Sequence, residues 1–542
     1  MTRRLITLCI PALALSCADP PGAAQDPQQP TASARDAQAD GSEHSAATDA
    51  ASPKTPEVDG GSPAQPSARA APEDGPRVYA KTRFVWVRPT PSPDGWVGYL
   101  WLGGDVKLKS TEPAVGPGCP GPDNNSLWYA IEPFGYVCVD GKDATLDPKD
   151  PALVATLPYA PRLDTAWPHE YGESRGIQKY KQLPTRAEQR AREWDLPEHE
   201  AAVERARAPG AKPEDLDKQL VDVDLSIPTQ KPFDLGDYPS TLNEPRKRLF
   251  PLSTVAYSAR VDNHGTPFLL TADMMWVPQT RVARYPKVTF KGLEVGKDIE
   301  PEADGSLRIA FFRGEDRAKY TSVSEGFTLR SGAVFKRLSW VKLTGKSAER
   351  DGTTYLETTD AGAWVQSKQA VVPEFRTETP WGAPMGKPDT TGKAPPGRAT
   401  WMEANIWKGW LVAYEGTRVA YVTLISPGRG GTPVKGVPAI DTAATPTGSF
   451  KITGKFATAT MAAPQEFIHS EVPWTQNFSG PHAIHGAYWH DNWGERMSAG
   501  CVNLSPRDGR WLFNFTEPAL PPGWHGVRWR PSVEPATLFI VR

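Results

Sequence analysis

His485-Gly486-Ala487-Tyr488-Trp489-His490-Asp491-Asn492-Trp493-Gly494-Glu495-Arg496-Met497-Ser498-Ala499-Gly500-Cys501-Val502-Asn503-Leu504 sets an imidazole and a thiol sixteen positions apart. The thiol stands in a glycine turn. A thiol attacks carbonyls only as thiolate, so a nucleophilic cysteine needs a base to take its proton. Gly500 lets the backbone fold closely around Cys501, so that the main-chain N–H groups of Gly500 and Cys501 can point at a developing oxyanion. Downstream, Ser505-Pro506-Arg507-Asp508 reads as a helix start, with Ser505 as N-cap and Pro506 in the first turn. Cys501 would then sit at a strand-to-helix corner. A free cysteine is usually a small buried hydrophobe; the turn, the upstream His-Gly and the helix cap favour the nucleophile here.

Other residues join this pattern. Thr445-Pro446-Thr447-Gly448-Ser449-Phe450 lies upstream, Trp474 follows Pro473, and Trp489-His490-Asp491 precedes the cysteine. Together, residues 401 to about 530 resemble the L,D-transpeptidase (YkuD-type) catalytic domain. Its motif is a His-Gly, a spacer, then Ser-His-Gly-Cys-Val-Asn or -Arg. The resemblance implies a C-terminal domain over 400–542, a mixed β-sandwich with one helix after the catalytic cysteine. It implies Cys501 as nucleophile and His485 as proton donor and acceptor, with its second ring nitrogen held on a main-chain carbonyl such as that of Gly486. Ser498 matches the serine that shapes the site, and a turn-forming hydroxyl explains it equally well. Asn503 matches a position facing substrate, with a structural amide as the alternative. Tyr488, Trp489 and His490 would line a groove for an extended peptide, although aromatics at strand spacing are more often core. The family's second histidine, two residues before the cysteine, is Ala499 here, which bears on thiol tuning or on the donor site.

The activity so implied is attack of Cys501 on a peptidoglycan stem peptide, release of D-Ala, and transfer of the resulting thioester to an amine. A neighbouring stem would give a 3→3 cross-link and a wall-attached lipoprotein a protein–wall bond, while water would give L,D-carboxypeptidase chemistry. The rival class is a non-catalytic wall-binding protein. No cofactor is implied. No metal is expected either: His482, His485 and His490 are spaced three and five apart, unlike His-Glu-x-x-His, and Pro481 and Gly486 break helical periodicity. A formal charge of −2 with no basic block makes nucleic acid an unexpected partner.

At the N-terminus, Arg3 and Arg4 precede an apolar stretch from Leu5 to Leu15, and Leu13-Ala14-Leu15-Ser16-Cys17 reads as a lipobox. Residues 1–17 would be a lipoprotein signal with lipid on Cys17, or an ordinary secretory signal. Residues 18–75 hold almost no large apolar side chain and are expected as a disordered tether. The expected location is the cell envelope, in the periplasm, anchored to a membrane through Cys17. In an oxidising compartment Cys119 and Cys138 can pair.

The expected fold class is mainly β. Residues 76–145 carry short strands between Gly/Pro turns and resemble a bacterial SH3-like barrel. Three stretches, Leu127 to Val137, Phe268 to Val277 and Tyr355 to Val365, each end in an aromatic-Val pair. They read as three SH3-like modules or as hairpins of one larger β-domain, the latter two within a β-rich accessory region over 246–395. Between lies a charged linker over 146–245, where Thr185-Arg186-Ala187-Glu188 opens a helix expected to run to about Ala208.

Overall fold

The computed structural model describes residues 16–17, 75–121, 126–207, 229–230, 248–302, 305–323, 326–462 and 468–542. The signal segment up to residue 15, the tether over 18–74 and most of 208–247 lie outside the described residues. Ser16 and Cys17 pair antiparallel with Ala462 and Met461. Among the described residues, no helix is long and apolar enough to cross a membrane.

Two sheets face each other across the C-terminal core. The first runs Leu293–Glu294, Arg418–Leu424, Trp410–Glu415, Thr400–Asn405, Leu538–Val541, Gly448–Lys451. Met402, Ala404, Leu411 and Phe539 of this sheet share one apolar cluster with Ile484, Val502 and Leu504 of the second sheet and with Leu512 and Phe515 of the helix Pro506–Phe515. On its other face Trp401, Trp410, Val412 and Tyr414 meet Phe290, Ile309 and Phe311. Burial on both faces explains why Trp410-Leu411-Val412-Ala413-Tyr414 is apolar without alternation. The result is mainly β, a mixed sandwich with a single helix after Cys501, as expected for this region.

The second sheet runs Val85–Val87, Gly98–Leu100, Gly526–Arg528, Gly454–Ala462, Ile468–Ser479, His482–Gly486, Val502–Leu504. Its first two strands come from the stretch expected to form a separate SH3-like barrel. No sheet closes into a barrel among the described residues. The reason is burial. Trp524 and Val527 enter the core that this stretch forms from Val78, Val85, Val87 and Leu100, so its apolar face is shared with the C-terminal strands. Gly98 is required at the seam, because a Cβ there would lie 2.3 Å from the Trp524 ring.

The three aromatic-Val stretches are antiparallel hairpins in three different sheets, pairing Trp128 with Cys138, Leu270 with Trp276, and Leu356 with Val365. The second hairpin belongs to a sheet that recruits Glu170–Ser174 from the stretch read as linker. The charged helix is two helices, Arg186–Arg192 and Leu196–Arg207. Thr185 and Glu188 form the expected capping box, but Pro197 lacks an N–H to continue the ladder and opens a new helix in its first turn. The break is held by Arg281, which donates to Glu193 (2.8 Å) and to both oxygens of Asp195 (3.0 and 2.9 Å). Trp194 is left 83% exposed. Cys119 and Cys138 form a disulfide.

A buried polar junction ties these parts together. Arg83 pairs with Glu471, whose other oxygen accepts from Thr458 Oγ1 at 2.6 Å. Tyr171 OH donates to Glu471 O at 3.0 Å, and Trp101 stacks on His525 at 4.6 Å. Burial would raise the Glu471 carboxyl, but Arg83 and then His169 hold it below the usual range. Replacing Arg83 with Met should leave that carboxylate buried and unpaired, at a cost of about 3–5 kcal/mol in urea unfolding. A loss under about 1 kcal/mol would mean that the junction tolerates an uncompensated Glu471.

Burial also pushes His169 down to about 4 and His469 and His525 down to about 3. The unfolded chain takes up these protons below about pH 6.5 while the folded protein does not, so stability is full above that pH and lost as pH falls toward 4. The loss approaches about 1.4 kcal/mol per pH unit per histidine. Tm should drop steeply between about pH 6.5 and 4; a flat profile would contradict neutral burial of these rings.

Candidate active site

His485 lies on His482–Gly486, which runs parallel to Val502–Leu504, so that His485 stands opposite Asn503 and Gly486 opposite Leu504. Side chains alternate between faces of a sheet. Asn503 and His485 therefore share one face, and Cys501, one residue before its strand, falls diagonally across from His485. The opposite face carries Ile484, Val502 and Leu504 into the core against the helix. The Ala483 backbone, opposite Cys501 in this register, partly offsets the effect of burial on the thiol.

The turn before the thiol is closed by two hydroxyls. Gly500 sits at φ +125°, a conformation a side chain would strain. Ser498 Oγ donates to Cys501 O at 2.6 Å and accepts from Gly500 N–H at 3.1 Å. Thr445 Oγ1 donates to the same carbonyl at 3.5 Å and accepts from Gly428 N–H at 2.8 Å. Ser498 thus acts as a turn-forming hydroxyl. The Gly500 N–H, expected as an oxyanion donor, donates to Ser498 Oγ instead. The role of Thr445 was visible only as part of a motif; nothing in its spacing indicated contact with Cys501.

His482 lies against the same turn. Its Nδ1 is 3.0 Å from Ser479 O, its Nε2 is buried without a partner, and a Cβ at Gly500 would come within 2.9 Å of that nitrogen. Position 499 is alanine, yet an imidazole still abuts the cysteine turn from the neighbouring strand.

His485 Nδ1 lies 3.3 Å from Gly486 O, so the ring proton sits on Nδ1 and Nε2 keeps a lone pair for the thiol. Trp489 is 5.8 Å from the His485 ring and stacks on His469 at 4.1 Å, walling the imidazole. Burial pushes His485 down to about 4 and Cys501 up to about 11. The resting pair is neutral.

His490 is the second site imidazole, pushed down to about 4 by burial and then by His485. Its Nδ1 accepts from Asn492 N–H at 3.3 Å, so its proton is on Nε2. The Asn503 amide lies 3.1 Å from that nitrogen. The Asn503 Nδ2 stands beside His490 Nε2 while its Oδ1 is buried without a partner among the described residues, so a donating Nε2–H calls for the amide to be turned over.

Tyr488 does not wall a groove. It is 2% exposed, stacks on Tyr171 at 3.8 Å, and its hydroxyl bonds Ser470 O and Thr254 Oγ1, both at 2.6 Å. It fastens the chain after His485 to the sheet of Thr254–Asn263. On the other side Arg337 grips Asp491 through two bonds of 3.0 Å, and Arg313 donates to Gly494 O. The loop between base and thiol is thus clamped by both accessory sheets. Among the described residues, no three His, Cys, Asp or Glu side chains converge to hold a metal.

Residues 399–523 match the family model of the YkuD L,D-transpeptidase catalytic domain. Among solved structures, the chain is similar to a cysteine-to-serine mutant of the Enterococcus faecium L,D-transpeptidase, at 22% identity over 26% of this chain and 49% of that one, with a TM-score of 0.20. It is also similar to a Xylanimonas cellulosilytica L,D-transpeptidase (21% identity, 26% of this chain and 60% of that one, TM-score 0.19). A third is L,D-transpeptidase 3 of Mycobacterium tuberculosis (15% identity, 44% of this chain and 82% of that one, TM-score 0.20). The match spans about half of the first of these structures and three fifths of the second. No curated protein matches the chain.

A neutral thiol has a chemical signature. Alkylation of Cys501 by iodoacetamide should be slow at pH 7 and quicken about tenfold per pH unit up to pH 10. A rate already at its plateau by pH 7 would indicate a thiolate–imidazolium pair instead.

Proposed function

From the YkuD catalytic domain matched at residues 399–523, we propose that this protein is a peptidoglycan L,D-transpeptidase with Cys501 as nucleophile and His485 as base. The observation that carries this reading is the parallel register that sets Cys501 and His485 on one face, with His485 Nδ1 held on Gly486 O. The substrate is a stem peptide ending in D-Ala. Cys501 sulfur attacks the carbonyl before that D-Ala while His485 Nε2 takes the thiol proton. The developing oxyanion is met by the Cys501 N–H. Collapse breaks the C–N bond, His485 returns the proton to the departing D-Ala amine, and a thioester remains.

An amine then attacks the thioester. Its proton passes to the now neutral His485, and the thiolate leaves and is reprotonated. A neighbouring stem peptide as acceptor gives a 3→3 cross-link, and a wall lipoprotein gives an attachment. Burial lowers the basicity of His485 and raises the Cys501 thiol, so the proton moves only in concert with attack on the carbonyl. Ser498 and Thr445 hold the Cys501 carbonyl so that the sulfur keeps its direction. The lipobox ending at Cys17 supports placing this activity at a membrane facing the wall.

Release of D-Ala from a soluble disaccharide-tetrapeptide, followed by mass spectrometry, tests the proposal. Cys501→Ser should lower it at least about 10³-fold, since a hydroxyl is a far weaker acid than a thiol. Turnover by the purified variant within tenfold of the parent would remove Cys501 from the mechanism.

A further inference from the structure

The helix Pro506–Phe515 packs Leu512 and Phe515 against Ile484, Val502 and Leu504, the sheet face opposite His485. Its outer side borders an open cavity of about 420 Å³ that the transpeptidation chemistry does not use. Lys291, Arg507, Arg510, Trp511, Asn514 and Phe515 line it. Its volume falls in the range of small-ligand sites, about 300–1,000 Å³.

The charges in this cavity are unbalanced. Lys291 is paired with Asp298 at 2.8 Å. Arg507 and Arg510 have no ion pair among the described residues. Each instead lies over an indole, Arg507 at 5.7 Å from Trp167 and Arg510 at 5.9 Å from Trp474. Arg510 Nε is buried with no partner at all. Stacked guanidiniums keep their outer N–H groups in one plane, the geometry that takes a carboxylate through two parallel bonds.

Between and beside these cations the surface is flat and polar by turns. Trp511 is fixed by stacking on Tyr421 at 4.2 Å and on Phe515 at 4.9 Å. Asn514, one turn on from Arg510, is exposed and presents an amide. An apolar wall at Trp511, an amide for hydroxyls and two guanidiniums without an ion pair for carboxylates form one complementary surface. We propose that this cavity is a second binding site, which takes a carboxylate-bearing glycopeptide segment of the wall polymer on the face opposite the catalytic thiol. The identity of that polymer rests on the proposed transpeptidase function; the charge and shape of the cavity do not.

The test uses the full chain. With Cys501→Ala to block turnover, calorimetric titration with a soluble disaccharide-tripeptide should show a site that Arg507→Glu/Arg510→Glu weakens at least tenfold. Uncharged N-acetylglucosamine oligomers should bind that site at least tenfold more weakly than the glycopeptide. The exposed Arg507→Gln and Asn514→Ala variants, which disturb no core packing, should each weaken it at least twofold. In protein with Cys501 intact, the charge reversals should leave D-Ala release from soluble tetrapeptide within twofold and lower release from intact sacculi at least fivefold. Unchanged glycopeptide affinity in all three variants would overturn the site. Tight binding of inorganic phosphate with none of the glycopeptide would overturn the ligand. Absence of D-Ala release in the parent, with the binding difference intact, would remove the transpeptidase reading and leave the cavity's role standing.

Discussion

The parallel pairing of His482–Gly486 with Val502–Leu504 is the constraint on which the rest of the molecule depends. A parallel pair cannot be joined by a tight turn, so the chain must leave the sheet and return. The excursion over 487–501 carries Trp489, His490 and the cysteine turn, and the return brings the thiol to the imidazole's side of the sheet. A slip of one residue in this register would send Asn503 to the core and Leu504 to the site, so apolar burial beneath the sheet sets the chemistry above it. Ile484, Val502 and Leu504, packed against Leu512 and Phe515, hold that register.

The accessory parts are extensions of this arrangement. The N-terminal strands continue the catalytic sheet through Gly526–Arg528, and the Arg83–Glu471 pair fastens them to the strand that precedes the base. One accessory sheet holds Tyr488 and the other holds Asp491 and Gly494, on either side of the loop between base and thiol. A loop of that length would otherwise sample many conformations, and these anchors remove that freedom. The first C-terminal sheet is covered on both faces for the same reason: its outer side is the floor on which the second accessory region rests.

Neutrality of the thiol and imidazole follows from the same burial. A site so enclosed disfavours any resting charge. Ala499 removes the imidazole the family carries beside the cysteine, and His482 lies against the turn from the adjacent strand with an unpartnered nitrogen.

The catalytic residues and their surroundings were legible in the sequence to different degrees. Cys501, His485, the cap at Ser505 and the capping box at Thr185 are local or motif-borne, and each depends on residue type at fixed short spacing. The three aromatic-Val hairpins were legible for the same reason, since a hairpin is a local structure. What the sequence alone determined was therefore the β-rich class, the helix after Cys501 and the local turns and caps. Only the tertiary structure decided that Tyr488 is an anchor and not a groove wall, that Gly500 N–H is spent on Ser498, and that the N-terminal strands join the catalytic sheet. Each of these rests on contacts between residues tens to hundreds of positions apart or on which face of a strand is covered, and neither leaves a mark in the order of neighbouring residues.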